Sequence, residues 1–126
     1  MTDEVDEEAG TVRIEIPADP RFVALTRVAA ASLAADLDSG IDQVEDLRIA
    51  VNELVGLLVE AADGSGSVHL ELHVTDRTIS VSGRATAATT GPEPDPLTRR
   101  ILDATVDGYR MGAGGFSMHK RLDDVA

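Results

Sequence analysis

One stretch constrains the chain more than any other: residues 41–63, IDQVEDLRIAVNELVGLLVEAAD. Val44, Leu47, Val51, Leu54, Val55, Leu58 and Ala62 recur at helical spacing and predict a long helix with one buried stripe. Asp42, Asp46, Glu53 and Glu60 fall toward the opposite side. Glu53 lies on the edge of the apolar arc, with Leu57 one turn on and about 40° nearer its centre. A carboxylate on that border faces either solvent or a pocket. A helix of this kind needs a broad apolar surface to cover, and the remaining sequence has to supply it.

That surface is written as alternating strands. In residues 11–16, Val12, Ile14 and Ile16 point one way while Arg13 and Glu15 point the other. Residues 67–75 place Val68, Leu70, Leu72 and Val74 inward and His69, Glu71, His73 and Thr75 outward. After a short turn at Asp76 and Arg77, residues 78–82 put Ile79 and Val81 inward, which predicts an antiparallel hairpin. Two more strands, 106–111 and 115–122, close the chain around the glycine-rich turn 112–115.

Two further helices complete the inventory. Asp19-Pro20 reads as an N-cap followed by proline at the first helical position. The helix is expected over 20–38, with Phe22, Leu25, Ala29, Leu33 and Leu37 inward and Ser39-Gly40 ending it. Residues 83–96, GRATAATTGPEPDP, read as a loop. A third helix over 95–105 places Leu97, Ile101, Leu102 and Ala104 on its apolar side. The order strand, helix, helix, strand, strand, helix, strand, strand predicts an α+β two-layer α/β sandwich, a mainly antiparallel sheet with helices on one face.

Composition narrows the partners. The 126 residues suit one domain. Residues 1–10 carry Asp3, Glu4, Asp6, Glu7 and Glu8 with no base, and read as an acidic disordered tail ahead of a domain at 11–126. A net charge of -12 argues against a nucleic-acid partner and suits a partner with a basic surface. The absence of cysteine removes disulfide and thiolate chemistry and fits a cytoplasmic protein. No apolar run reaches the length of a membrane span.

Several chemistries find no support. His69 and His73 share a strand face but stand roughly 13 Å apart at ~3.3 Å per residue, too far to share a metal. His119 has no partner in the sequence pattern, and no ligand spacing for a metal is present. The 112–115 glycines are followed by neither a Lys-Ser pair nor a helix, so a hairpin turn is preferred over a phosphate cradle. Ser80, Ser82 and Ser117 lie on strands with no acid-base pair in a recognisable motif, and no nucleophile is assigned.

The order of elements, with IPADPRFVALTRVAAASLAADL, IDQVEDLRIAVNELVGLLVEAA and ILDATVDGYRMGAGGFSMHKRL, resembles the anti-sigma factor serine-protein kinases. These have the histidine-kinase-like (GHKL, Bergerat) ATPase fold. The resemblance implies a protein that binds a sigma factor, holds ATP with magnesium under a lid loop, and phosphorylates an anti-sigma antagonist; a homodimer is expected. It also implies a Glu on the second helix, acting as general base or water-positioner, with an Asn four positions later on magnesium. Here Glu53 stands at the Glu position, Leu57 replaces the Asn, and the adjacent Asn52 points about 100° away. Where the family reads adenine through an Asp-x-Gly-x-Gly box, this chain has Ser82-Gly83-Arg84-Ala85-Thr86. Where the family has its phosphate lid, the chain reads Gly91-Pro92-Glu93-Pro94-Asp95-Pro96, short of backbone N–H groups and acidic.

Asn52, Glu53, Leu57, Ser82 and Gly83 are thus the positions of a degenerate ATP pocket, Glu53 a vestigial general base, with no cofactor and no metal expected. The expectation is an anti-sigma-factor-like regulatory module. The alternatives are a working ATP-dependent kinase using Glu53, and a structural partner that dimerises with an intact paralogue.

Overall fold

The computed structural model describes residues 10–37, 39–87 and 93–123. Residues 1–9, which hold most of the expected acidic tail, and 88–92, which include Gly91 and Pro92 at the start of the expected lid, lie outside the described residues. The chain runs β1 (Thr11–Pro17), a single 3-10 turn (Pro20–Phe22), α1 (Val23–Ala35), α2 (Ile41–Ala62), β2 (Ser67–Thr75), β3 (Thr78–Ala85), α3 (Pro96–Thr105), β4 (Gly108–Gly112) and β5 (Gly115–Arg121). The five strands form one antiparallel sheet in the order β1-β2-β3-β5-β4.

The core follows from two periodicities. Every second residue of the strands turns toward the helices: Val68, Leu70 and Leu72 from β2, Ile79 and Val81 from β3, Phe116 and Met118 from β5 are buried. Over them lies α2, whose Leu47, Val51, Leu54, Val55 and Leu58 are fully buried. The stripe expected from the sequence is the one observed, widened by Ala50 and Val59 and with Val44 only partly buried. Pro17 ends β1 at a sheet edge, where the missing N–H costs no ladder bond.

Five expectations need correction. The first helix is rotated by one residue: α1 buries Val23, Thr26, Ala30 and Ala34, while Leu25 is 57% and Val28 62% exposed. Its alanines leave several faces able to pack, and close approach to α2 selects the one with the smallest side chains. It also ends sooner, at Ala35. In α3, Leu97 is 66% exposed and Ala104 is exposed, whereas Thr98, Leu102 and Thr105 turn inward. The Thr105 hydroxyl donates to the Ile101 carbonyl at 2.7 Å, which lets a polar side chain be buried without an orphan group.

β3 runs on through Gly83, Arg84 and Ala85, three residues into the expected loop. Flanking strands β2 and β5 supply ladder partners on both sides, which outweighs the low strand propensity of that segment. Lastly, β4 begins at Gly108, two residues later than expected. The 112–115 glycines do form a hairpin turn, Gly112 pairing with Gly115 and Gly114 taking φ 71°.

Candidate functional site

Neighbouring residues of α2 are about 100° apart around its axis, so its two borders look at different helices. Arg27 of α1 donates through Nη1 to Asn52 Oδ1 at 3.1 Å. Glu53 looks the other way, toward α3, where Thr98 Oγ1 donates to Glu53 Oε1 at 3.4 Å. That distance is long for a hydroxyl donor, so the bond is weak. Leu57, one turn further on and half-buried, continues the edge that Glu53 begins.

The first turn of α3 is built by an Asp-Pro pair of the kind that also starts the 3-10 turn at Asp19-Pro20. Asp95 is the N-cap: its Oδ1 accepts from the Thr98 N–H at 2.8 Å, and Pro96 brings no N–H of its own. The Thr98 N–H first, and the Thr98 hydroxyl second, hold the Asp95 carboxyl below its ordinary range. One hydroxyl proton cannot serve both carboxylates at once. The dipole-positive end of α3, a natural seat for an anion, is therefore already occupied by a side chain of the protein. The Asp95 cap was open to sequence reading, since the same Asp-Pro signature is present at residues 19 and 20.

The five sequence-expected positions do not converge. Glu53 and Leu57 share the α3 border of α2, and Asn52 is committed to α1. Gly83 is buried on the helix-covered side, where a Cβ would stand 2.6 Å from Leu70 Cδ2 and 2.7 Å from Phe116 Cε2. Its bareness serves core packing. Ser82 is exposed on the opposite side of the sheet, in register with Glu71 and Ser117. With Val81 inward, strand alternation sends Ser82 outward, so it cannot line a pocket together with Glu53. In the lid segment, Gly91 and Pro92 lie outside the described residues, while Glu93 and Asp95 are exposed.

The three histidines all lie on that open side. His73 Nδ1 is 2.8 Å from Thr11 Oγ1, and His69 Nε2 is 3.2 Å from Ser67 Oγ with Nδ1 3.9 Å from Glu15 Oε1. Among the described residues no three His, Asp or Glu side chains come together as a metal site. No described helix is long and apolar enough to cross a membrane.

Known proteins resemble the chain along most of its length. Serine-protein kinase RsbW of Oceanobacillus iheyensis is 24% identical over 127 aligned positions, which cover 90% of this chain and 76% of that protein. Serine-protein kinase RsbW of Listeria innocua is 27% identical over 124 positions, with the same coverage, 90% and 76%. The crystal structure of the RsbU and RsbW domains of a Mycobacterium tuberculosis protein matches with a TM-score of 0.68 at 18% identity. That match covers 89% of this chain and 32% of the other, so the chain spans about a third of that crystallised chain. No protein-family model matches.

Proposed function

We propose that this chain, a homologue of the RsbW serine-protein kinases with their histidine-kinase-like fold, is an anti-sigma-factor-like regulator that acts by binding a protein partner as a homodimer. The partner is a sigma factor or an anti-sigma antagonist, and neither ATP nor magnesium takes part. Similarity over 90% of the chain supports the regulatory role. The formal charge of -12 suits a basic patch on the partner.

The observation that carries the silent pocket is the first turn of α3 against α2. Asp95 fills the anion-receptive helix end, and Glu53 adds a second carboxylate on the far side of Thr98. Leu57 brings no oxygen to the edge where the resemblance implies an amide, and Asn52 is spent on Arg27. Magnesium favours oxygen donors in near-octahedral geometry together with nucleotide phosphates. The donors supplied here fit that group poorly, and two negative charges oppose a triphosphate.

Three measurements test the reading. Calorimetry with magnesium and ATP is expected to give no binding heat, and micromolar affinity would overturn the silent pocket. Tagged chain retained from its native cytoplasm is expected to carry a sigma factor or its antagonist. Retention of neither removes the regulatory assignment. Transfer of phosphate to a retained antagonist, abolished by Glu53→Gln, would establish the kinase alternative.

A further inference from the structure

The sheet has a face that no helix covers, and its charge is opposite to that of the chain. Of 11 Lys and Arg and 23 Asp and Glu in the sequence, the strands place four arginines there, Arg13, Arg84, Arg110 and Arg121, against two acids, Glu15 and Glu71. All three histidines join them. A protein carrying twice as many acids as bases thus presents one basic wall.

The middle of that wall is low and unspent. Ser80, Ser82 and Ser117 lie on the central strands β3 and β5, with Gly115 beside Arg84 in register. Small side chains there leave two open hollows of about 530 and 620 Å³, both lined by Glu71 and Ser82, which together cross all five strands. Arg13 is paired with Glu71 at 3.2 Å, and Arg121 lies 3.7 Å from Asp123. The side chains of Arg84, Arg110, Ser80, Ser82 and Ser117, by contrast, have no hydrogen-bond or ion-pair partner among the described residues. Arg84 and Arg110 stand two strands and one row apart, about 12 Å by sheet spacing, with serine hydroxyls between them.

We propose that this trough receives an acidic, extended segment of a partner protein, two of its carboxylates pairing with Arg84 and Arg110 and its backbone lying over the Ser82 and Ser117 hydroxyls. Guanidinium groups suit carboxylates by their forked donors, and the hydroxyls supply both donor and acceptor to a peptide chain. The acidic body around the trough repels an acidic segment from the rest of the surface, which leaves this basic wall as its favourable seat among the described strands. The like charge of the wall disfavours closing it symmetrically on a second copy. The site lies on the opposite side of the sheet from Glu53, so it stands whether or not the α2–α3 edge takes a nucleotide.

The test uses the full isotope-labelled chain and a short polyglutamate peptide at low salt, followed by amide chemical shifts. Shifts are expected around Ser82, Arg84, Arg110 and Ser117, with polylysine leaving those amides unmoved. Arg84→Glu with Arg110→Glu should weaken the peptide at least about tenfold without lowering the melting temperature, since both side chains are exposed. The neutral pair Arg84→Ser with Arg110→Ser should fall between. No shift on this face, or shifts the reversed pair leaves intact, overturns the proposal. So does a dimer that the reversed pair dissociates, which would give the face to a second copy. Amides of residues 1–9 moving on charge reversal without peptide would give the face to the chain's own acidic segment, and would overturn the proposal equally.

Discussion

The two faces of one sheet have been put to opposite uses. On the helix-covered face, alternate residues are mostly apolar and buried beneath the helices. On the open face, the residues between them are mainly serines, threonines, histidines and arginines with two glutamates, and several of these side chains have nothing to bind among the described residues. Ser82 and Gly83 are neighbours in sequence, yet one floors an open trough and the other is wedged between Leu70 and Phe116. Adjacent positions in a strand are therefore poor witnesses to a shared pocket, whereas Glu53 and Thr98, 45 residues apart, touch.

That contrast is sharpest where packing is densest. Leu54 is 0% exposed, and Leu54→Ala should cost about 2–5 kcal/mol in a denaturant titration. A loss below about 1 kcal/mol would mean that the α2 stripe is loosely packed.

Next comes the pair at the divide. Gly83→Ala drives a methyl into Leu70 and Phe116 and should cost about 1–3 kcal/mol. Ser82→Ala should stay within about 0.5 kcal/mol, because that side chain is exposed and makes no bond among the described residues. Equal effects at the two positions would erase the distinction between the faces.

A smaller effect is expected at the start of α3. Asp95→Ala removes the cap and should lower the melting temperature modestly, while Asp95→Asn keeps it. The Asp95 carboxyl titrates below its ordinary range in the folded chain, so the unfolded chain binds more protons there in acid. Its contribution is full above the ordinary carboxylate range and is lost as pH falls through the lowered folded value. Asp95→Asn should therefore flatten, without abolishing, the acid limb of a melting-temperature profile. Asp19, held low chiefly by the Arg21 guanidinium, acts with the same sign and supplies part of what remains.

The smallest effect belongs to Glu53. Its 3.4 Å contact with Thr98 is weak, so Glu53→Gln should leave the denaturation midpoint within error. Co-purification of the partner should survive as well. A clear loss of stability would show that Glu53 holds α3 in place, and a loss of partner binding in a folded variant would put this edge at the interface.

Local pattern alone determined a good deal: the long helix with its stripe at Leu47, Val51, Leu54, Val55 and Leu58, the inward and outward sets of β1 and β2, and the hairpin at Gly112 to Gly115. These follow from 3.6-residue and 2-residue periods and from turn chemistry, which act within a few residues. Even the outward turn of Ser82 was legible, had the alternation begun at Ile79 been carried past Val81. Only the tertiary structure decided which stripe of α1 is buried, because an alanine-rich helix offers several nearly equivalent faces and its neighbour chooses among them. The order β1-β2-β3-β5-β4 is likewise tertiary, since it brings β5 beside β3 and gathers Arg84 with Arg110 across a floor of serines. Strand neighbours are set by pairings between distant segments, and no local period encodes them.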